Sequence, residues 1–519
     1  MTLREPATVG VGRATAVMVG SGGTLVVASD LTLRGSLGYE RGAAVRVDPP
    51  AGGLRIDLDA PAGETFRIAP LPGGTGTPSL EAAGDVDRRI TIATTGRGGL
   101  GRIDAAAVPS ALELSCVTLE GLGSDREAAL AAESRDGGSA VVWRRLRAKD
   151  CGRLLLRCRA GGRVEIDRLD IRAPRGRTAA EVDAREDKAP GGSRRLARIT
   201  LASASRRRLN FYVRDLDRCR DLVLVNGSLV ANGDRRNVIE RLWLLATADG
   251  SYIGMAPNAG TTLRDSAIVT RGDNPHPVQD SGADAGVGAN AVEGCVFDGD
   301  GFVGSDAGDC VLPAGEVVMR RNIVVNKAGT IASLITKTGS ITVVRNTAHE
   351  AFGLALGETR GHPKQCRAFR NNLIVRQRYA VRQRSAMVPQ AAFEYDDNVT
   401  FALTGDGLIG GGLGPARYAP WWASGPGYGA PGRGAGNREA DPRFRDPSRT
   451  ARRFDAANGG PGTLEHLAAE IVKLNGWDAA GNEAPFDERY AVARFLAYVR
   501  EGFTPTNPAV SGAGAVEVG

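Results

Sequence analysis

An acidic stretch contains the residues of this chain that are best suited to chemistry. Residues 272–319 include no Lys or Arg, although the net charge of the whole chain is +7. Four carboxylates recur there at short spacing, namely Asp298, Asp300, Asp306 and Asp309. Two carboxylates on one turn could catalyse glycoside hydrolysis, one as the acid and the other as the base or nucleophile. The alternative is that Asp and Gly are frequent there because both form turns well.

The pair Asp298 and Asp300 also offers the hard oxygen ligands that Ca²⁺ takes. We expect no other cofactor, because no Gly-rich phosphate motif precedes a helix. The four histidines are His276, His349, His362 and His466. None lies at metal-ligand spacing from another, and no Cys-x-x-Cys occurs among the seven cysteines. A zinc site is therefore not expected, and reduced, mostly buried thiols are.

Arginines cluster in two parts of the chain. The first cluster lies within residues 144–220, and the second comprises Arg376, Arg378, Arg382 and Arg384. Such patches attract anionic polysaccharide or nucleic acid, or they form a solvated surface. Aromatic residues make up only 5% of the chain, so recognition by base stacking is not expected. The second cluster is thus a candidate site for a glycan or another anion.

A repeat in the second half indicates what positions these side chains. Asn322, Asn346, Asn372 and Asn398 are spaced by 24, 26 and 26 residues. A fixed period of about 20–50 residues is typical of a solenoid. Five segments, four of which contain these asparagines, alternate apolar and polar residues as short strands do. The segments are Val292–Asp298, Val317–Val325, Ile341–Thr347, Cys366–Val375 and Phe393–Phe401. Stacked coils would place the asparagines above one another, so we expect a hydrogen-bonded ladder, because an unpartnered buried amide is costly.

Three of these coils carry Val318-Met-Arg-Arg-Asn-Ile-Val-Val, Val343-Val-Arg-Asn-Thr and Ala368-Phe-Arg-Asn-Asn-Leu-Ile-Val. They resemble coils of right-handed parallel β-helix proteins of the pectate-lyase-like superfamily. The later segment Ala440-Asp-Pro-Arg-Phe-Arg-Asp-Pro resembles the final strand of such chains. The resemblance implies an all-β right-handed parallel β-helix with a β-rich N-terminal region and a small helical tail. A sandwich array or a propeller is the alternative, but propeller repeats are usually about 40 residues or longer.

The sequence divides into four parts by composition. They are a β-rich region at 1–105, the parallel β-helix at 106–405, a Gly-rich linker at 406–440, and a final strand with a helical C-terminal cap at 441–519. The first part is either a small sandwich or the first coils of the solenoid. Apolar spacing predicts helices over Thr463–Leu474 and Asp487–Arg500. Thr463 is suited to begin the first helix and Gly476 to end it.

Enzymatic motifs of related β-helices are incomplete here. A polygalacturonase-like hydrolase would carry Gly-His-Gly, and Gly361-His-Pro differs from it at the third position. A pectate-lyase-like enzyme would need an Arg or Lys base near acidic metal ligands. Arg320, Arg321, Arg345 and Arg370 lie near the acidic stretch, but they recur at equivalent places, which also suits a structural row. The balance favours a protein without catalytic activity.

The resemblance extends to phage tailspike, fibre and head- or collar-decoration proteins with this order of parts. It implies a structural or adhesive virion protein of a bacteriophage or phage-like particle, with residues 1–105 as an attachment region. The implied partners are two more copies in a homotrimer, other virion proteins and host surface polysaccharide. The N-terminus lacks a secretion signal, and no apolar run is long enough to span a membrane, so we expect synthesis in the host cytoplasm without membrane insertion. The alternatives are a polysaccharide lyase or glycoside hydrolase, and a non-catalytic glycan-binding protein that is extracellular or on a cell surface.

Overall fold

The structure is a computed structural model of the 519-residue chain. It describes residues 1–10, 15–95, 98–106, 108–135, 138–159, 161–172, 178–183, 193–202, 209–214, 218–232, 237–246, 253–255, 260–270, 278–280, 290–299, 311–312, 316–325, 330–334, 340–350, 352–356, 366–377, 381–383, 394–403, 409–410, 435–478 and 484–519. Two compact units divide the chain between Arg220 and Asp221. We call the part up to Arg220 unit one and the described part from Asp221 onward unit two.

Unit one consists of short strands. They are β1 (Thr2–Leu3), β2 (Ala7–Val9), β3 (Thr15–Val19), β4 (Thr24–Val27), β5 (Leu31–Leu33), β6 (Ser36–Arg41), β7 (Ala44–Val47), β8 (Leu54–Leu58), β9 (Thr65–Gly74), β10 (Ser79–Ala83), β11 (Ile90–Thr94), β12 (Leu100–Ala105), β13 (Ala111–Ser115), β14 (Val117–Glu120), β15 (Leu130–Ser134), β16 (Val141–Lys149), β17 (Leu154–Cys158), β18 (Arg163–Arg172), β19 (Thr178–Asp183), β20 (Ser193–Ala202) and β21 (Leu209–Arg214).

The strands of unit two are shorter. They are β22 (Cys219–Val225, which begins two residues before the division), β23 (Gly227–Asn232), β24 (Val238–Glu240), β25 (Trp243–Ala246), β26 (Ile253–Met255), β27 (Thr262–Arg264), β28 (Ala267–Thr270), β29 (Val278–Asp280), β30 (Asn290–Glu293), β31 (Val296–Asp298), β32 (Val311–Leu312), β33 (Glu316–Arg320), β34 (Ile323–Val325), β35 (Thr330–Leu334), β36 (Ser340–Val344), β37 (Thr347–His349), β38 (Phe352–Leu356), β39 (Cys366–Arg370), β40 (Leu373–Val375), β41 (Val381–Gln383), β42 (Glu394–Asp396), β43 (Val399–Phe401), β44 (Ile409–Gly410) and β45 (Arg438–Glu439).

Most coils contribute three strands, and the strands pair in parallel with those of the next coil; in the coils of β16, β18 and β20, one long strand takes the place of the first two. In unit one, β4 pairs with β7, β5 with β8 and β6 with β9. In unit two, β30 pairs with β33, β31 with β34 and β32 with β35. Parallel partners one coil apart define a parallel β-helix, so the predicted fold class is confirmed. The alternatives of a sandwich array or a propeller are wrong, because their sheets are built mainly from antiparallel strands.

The expected division at 105/106 does not interrupt the strand pairing of unit one. There β10 pairs with β13, β11 with β14 and β12 with β15, all in parallel. Residues 1–105 are therefore the first coils of the solenoid, which is one of the two arrangements that the sequence left open. Of the Gly-rich stretch at 406–440, only residues 409–410 and 435–440 lie within the described part.

The core of unit two is built from columns of apolar side chains. Leu263, Val292, Met319, Val343 and Phe369 occupy equivalent positions on β27, β30, β33, β36 and β39. All five are fully buried. The period of two along a strand sends every second side chain inward, and the parallel register keeps that choice the same from coil to coil.

After β45 the chain forms short helices. They are α1 (Ala451–Ala457), α2 (Leu464–Ile471), α3 (Val492–Gly502) and the 3₁₀ turns Val472–Asn475, Glu488–Tyr490 and Pro508–Val510. We call residues 440–519 the tail segment. The Thr463 hydroxyl accepts a hydrogen bond from the His466 N–H at 3.2 Å, and Gly476 has φ +84°, so the predicted start and end of this helical stretch are confirmed.

Two features of the tail segment differ from the sequence prediction. The last strand is Arg438–Glu439, just before the segment that resembles a final strand, and α1 follows where no helix was predicted. The helix predicted from Asp487 begins at Val492, because the Asp487 carboxylate instead accepts from the Arg489 N–H and caps a 3₁₀ turn.

Candidate functional site

The second strand of most coils in unit two is buried on both faces. Every described residue of β25, β28, β31, β34, β37 and β40 is buried. The residues of these strands form three columns along the coils, and the middle column contains residues such as Ile268 and Val324. The flanking residues contact the tail segment: Trp243 packs on Phe495 with 4.9 Å between ring centroids, and Leu373 packs with Val510. We call these two flanking columns the outer stripe.

Hydrogen bonds fix the tail segment along the outer stripe. The indole Nε1 of Trp243 donates to the Tyr490 carbonyl at 3.0 Å, and the Ala515 N–H donates to the Thr347 hydroxyl at 2.9 Å. These contacts involve coils that lie far apart along unit two. The tail segment therefore covers the side of these coils, whereas the sequence predicted a helical C-terminal cap. Covering this stripe removes an exposed apolar patch of the kind that drives association.

Asp298, the first candidate acid and calcium ligand, lies in the outer stripe. It is 2% exposed, and its Oδ2 accepts a hydrogen bond from the Ala451 N–H at 2.6 Å. Its carboxylate thus holds the start of α1 against the coil. Asp300, Asp306 and Asp309 lie outside the described residues. The predicted carboxylate pair and its calcium site stay predictions.

The four predicted asparagines form one buried row. Asn322 Nδ2 donates to Asn346 Oδ1 at 2.9 Å, and Asn346 Nδ2 donates to Asn372 Oδ1 at 3.1 Å. Asn372 Nδ2 then donates to Asn398 Oδ1 at 3.0 Å. Each side-chain oxygen also accepts a backbone N–H, as Asn372 Oδ1 does from Asn346 N at 2.9 Å. The exposed fraction of each is 0–1%, so the row satisfies polar groups that would otherwise be buried without partners.

The row is longer than the sequence spacing predicts. Asn437, which follows Asn398 by 39 residues, accepts its backbone N–H at 2.8 Å. At the other end, the Cys295 N–H donates to Asn322 Oδ1 at 2.9 Å. Asn437 does not fit the 26-residue period, because a long insertion precedes it. The preceding Gly436 could have indicated it, since this residue has the same left-handed conformation as the residues before the other asparagines. Burial raises the pKa of the Cys295 thiol to about 12, so it stays protonated.

The candidate arginine bases divide between two structural positions. Arg320 pairs with Glu293 of the preceding coil at 2.6 Å, and Arg370 pairs with a glutamate of the following coil. Arg321 and Arg345 directly precede Asn322 and Asn346 in the turn, with φ of 56° and 55°. The recurrence of these arginines thus follows the repeat of the coil. Opposite charges in neighbouring strands stabilise a sheet modestly.

A cleft of about 500 Å³ lies between the coils and the part of the tail segment near α1. His349, Glu350 and Arg376 form the coil side of its described lining. Residues between Pro447 and Gly462 form the other side. Glu350 and Arg376 follow β37 and β40 at equivalent turns, with φ of 54° and 53°. Their side chains carry an ion pair with 3.6 Å between Arg376 Nη1 and Glu350 Oε1.

The remaining members of the predicted anion cluster are not placed at this cleft by the described residues. Arg378 and Arg384 lie outside the described residues, and Arg382 belongs to β41 without a described side chain. Two arginines that the sequence did not single out, Arg452 and Arg453, line the cleft from the tail segment. They were missed because their proximity to Arg376 depends on the tail segment folding back over the coils.

His349 forms the most buried polar part of the cleft lining. It is 4% exposed, and its ring lies edge-on to Phe503 and Phe444, with centroids 5.5 and 6.0 Å away. Burial lowers its pKa; Glu350 acts in the opposite direction, and Arg376 adds to the lowering. At neutral pH the ring is therefore uncharged and can both donate and accept a hydrogen bond. Its Nδ1 has no partner among the residues that the structure describes.

A second buried carboxylate stabilises the tail segment itself. Asp455 on α1 is fully buried, and its Oδ1 accepts from the Tyr490 hydroxyl at 3.1 Å and lies 2.7 Å from His466 Nδ1. Its Oδ2 accepts from Gly462 N and Thr463 N at 2.8 and 3.2 Å. Burial, together with Asp455, raises the pKa of Tyr490 to about 12. This carboxylate joins the first two tail helices and the turn before the third.

Three wider observations concern metals, membranes and relatives. Across the described ranges, no three His, Cys, Asp or Glu side chains are grouped so that they could hold a metal ion. None of the helices in the described part is long and apolar enough to cross a membrane. No family model, no curated protein and no solved structure matches this chain.

Proposed function

We propose that this chain is a structural or adhesive component of a phage-like particle, in the role of a spike, fibre, collar or decoration protein. The observation that carries the proposal is the position of Asp298. A β-helix hydrolase would present this carboxylate to substrate, whereas here it is buried and bonded to the backbone of α1. Asp298, one of the four candidate carboxylates, thus contributes to the framework of the protein.

The framework is also suited to an exposed particle protein. The asparagine row and the tail segment each connect several coils of unit two. In a solenoid every repeat contacts only its neighbours, so the ends and edges open first. Bonds that extend over many coils slow such local opening and favour kinetic stability.

The test has two parts. Gradient-purified particles are analysed by mass spectrometry for this chain, and the purified protein is incubated with host capsule or lipopolysaccharide and then chromatographed. We expect the chain in the particles and no shortened polysaccharide. Shortened chains that disappear with Asp298→Asn would establish the hydrolase alternative instead. Light scattering measures the proposed trimer, for which we expect three times the chain mass of 54.3 kDa.

A further inference from the structure

We propose that the cleft between α1 and the turns at Glu350 and Arg376 binds a sugar that carries one carboxylate. This deepens the adhesive role proposed above and depends on that role for its biological meaning. The binding itself is a property of unit two and can be measured on the purified protein.

The size and charge of the cleft favour a small acidic ligand. Its volume of about 500 Å³ lies within the range of about 300–1,000 Å³ that is typical of ligand pockets. Its described lining contains Arg376, Arg452 and Arg453 but a single carboxylate, Glu350. This excess of arginine over carboxylate in the described lining gives the cleft a positive potential that attracts an anion.

Arg376 has the geometry to pair with a carboxylate. Its guanidinium is exposed, and its one described ion pair, with Glu350, is loose at 3.6 Å. A guanidinium has five N–H donors arranged as a planar fork, which matches the two oxygens of a carboxylate. The backbone of Arg376 is fixed, because its N–H donates to the Phe401 carbonyl at 3.0 Å. The backbone of Arg376 is therefore held in place, and its guanidinium group is accessible to a ligand.

Glu350 favours a sugar over a simple anion. The neutral ring of His349 lines the cleft and adds no charge to it. The Glu350 carboxylate accepts hydroxyl donors but repels a second negative charge. A ligand with several hydroxyls and one carboxylate suits both Arg376 and Glu350, whereas inorganic phosphate has few donors and a higher negative charge that Glu350 repels.

Binding is measured by isothermal titration of the full chain with three carboxylate sugars: glucuronate, galacturonate and N-acetylneuraminate. Methyl glucoside is the neutral control and inorganic phosphate is the anionic control. We expect saturable binding of at least one carboxylate sugar, and binding at least about tenfold weaker for both controls, as the loss of one charged hydrogen bond implies. Binding should weaken as salt is raised.

Variants locate the site. Arg376→Gln should weaken binding by about 10- to 100-fold, which corresponds to one charge-assisted pair. Arg453→Gln and Arg494→Gln form a matched pair, because both side chains are exposed on tail helices and only Arg453 lines the cleft. The first should weaken binding, and the second should leave it within about twofold, a change too small for a lost contact. Circular dichroism melts confirm that each variant folds.

Several results would overturn the proposal. One is no saturable binding of any of the three sugars up to about 10 mM, the weak end of specific affinity. Another is equal or tighter binding of methyl glucoside or phosphate. A third is equal loss with Arg453→Gln and Arg494→Gln in folded protein. None of these results bears on whether the chain is present in particles, so failure here is separable from failure of the particle role.

Discussion

Removing one interior amide tests whether the asparagine row holds the coils of unit two together. Asn372 uses both ends of its side chain: Oδ1 accepts from Asn346 N and Nδ2, and Nδ2 donates to Asn398 Oδ1 and the Val343 carbonyl. The substitution Asn372→Ala removes all four bonds at once. The backbone strands remain, so the effect isolates the side-chain row.

The magnitude follows from which groups lose their partners. The amide of Asn346 keeps the Met319 and Val344 carbonyls, and Asn398 Oδ1 keeps the Asn372 N–H. The Asn346 backbone N–H, however, loses the side-chain oxygen it bonds and is buried. One orphaned N–H costs about 1–3 kcal/mol, and each of the other lost bonds costs about 0.5–1.5 kcal/mol. With one orphaned N–H and three other lost bonds, we expect a loss of about 2.5–7.5 kcal/mol in the free energy of unfolding.

The matched control is Asn371→Gly, one residue earlier. Asn371 has φ 54°, and glycines occupy the equivalent turns at Gly294 and Gly436. Gly adopts this conformation without strain, so we expect a change within about 0.5 kcal/mol. Urea denaturation followed by circular dichroism measures both variants, and hydrogen exchange of peptides spanning 340–375 localises the effect. If Asn372→Ala and Asn371→Gly were equally stable, the row would be a consequence of coil stacking and not a cause of it.

Three further predictions concern the tail segment and the cleft. Phe495→Ala, which empties a fully buried ring site beside Trp243, should lower the free energy of unfolding by about 3–5 kcal/mol and expose the tail segment to limited proteolysis. Asp298→Ala should cost at least about 1–3 kcal/mol by orphaning the Ala451 N–H, whereas Asp298→Asn retains an acceptor oxygen and should cost less in the same denaturation assay. Because burial lowers the folded-state pKa of His349 below 6.5, the unfolded chain binds more protons between the two values. Stability should be full above about pH 6.5 and fall with pH toward the folded-state pKa, and His349→Gln should flatten that slope in denaturation curves at several pH values.

The repeated part of the fold is predictable because it depends on local spacing. Alternating apolar residues around Asn322, Asn346 and Asn372 set the strand faces, and a constant period implies stacked coils. The two ends of the row could not be predicted from the sequence. At Asn437 an insertion breaks the period, and at Cys295 a residue other than Asn supplies the backbone donor. The sequence thus predicts the coils whose spacing and residue types repeat. It does not predict the coils in which only the hydrogen-bond geometry repeats.

The apolar second strands indicate that another part of the protein covers them. Segments such as Trp243–Ala246 and Leu373–Val375 are apolar throughout, which indicates strands buried on both faces. Something must cover such strands, but their composition cannot identify the cover. Two helices of the tail segment were predicted from their own spacing, but their position over these strands is shown only by contacts in the structure, such as the one between Trp243 and Phe495.

The outer stripe also explains why the candidate cleft lies near α1. One of its columns runs Val269, Asp298, Val325, His349 and Val375, so two polar residues interrupt an otherwise apolar series. The tail segment satisfies the first by directing a backbone N–H of α1 at its carboxylate. It leaves the second at the edge of an open cleft. A covering segment selected only for stability would favour an apolar residue at position 349, because an unpartnered buried imidazole costs free energy. Position 349 instead has a polar side chain beside Arg376, whose tip is exposed, and both residues line the cleft that we propose as the binding site.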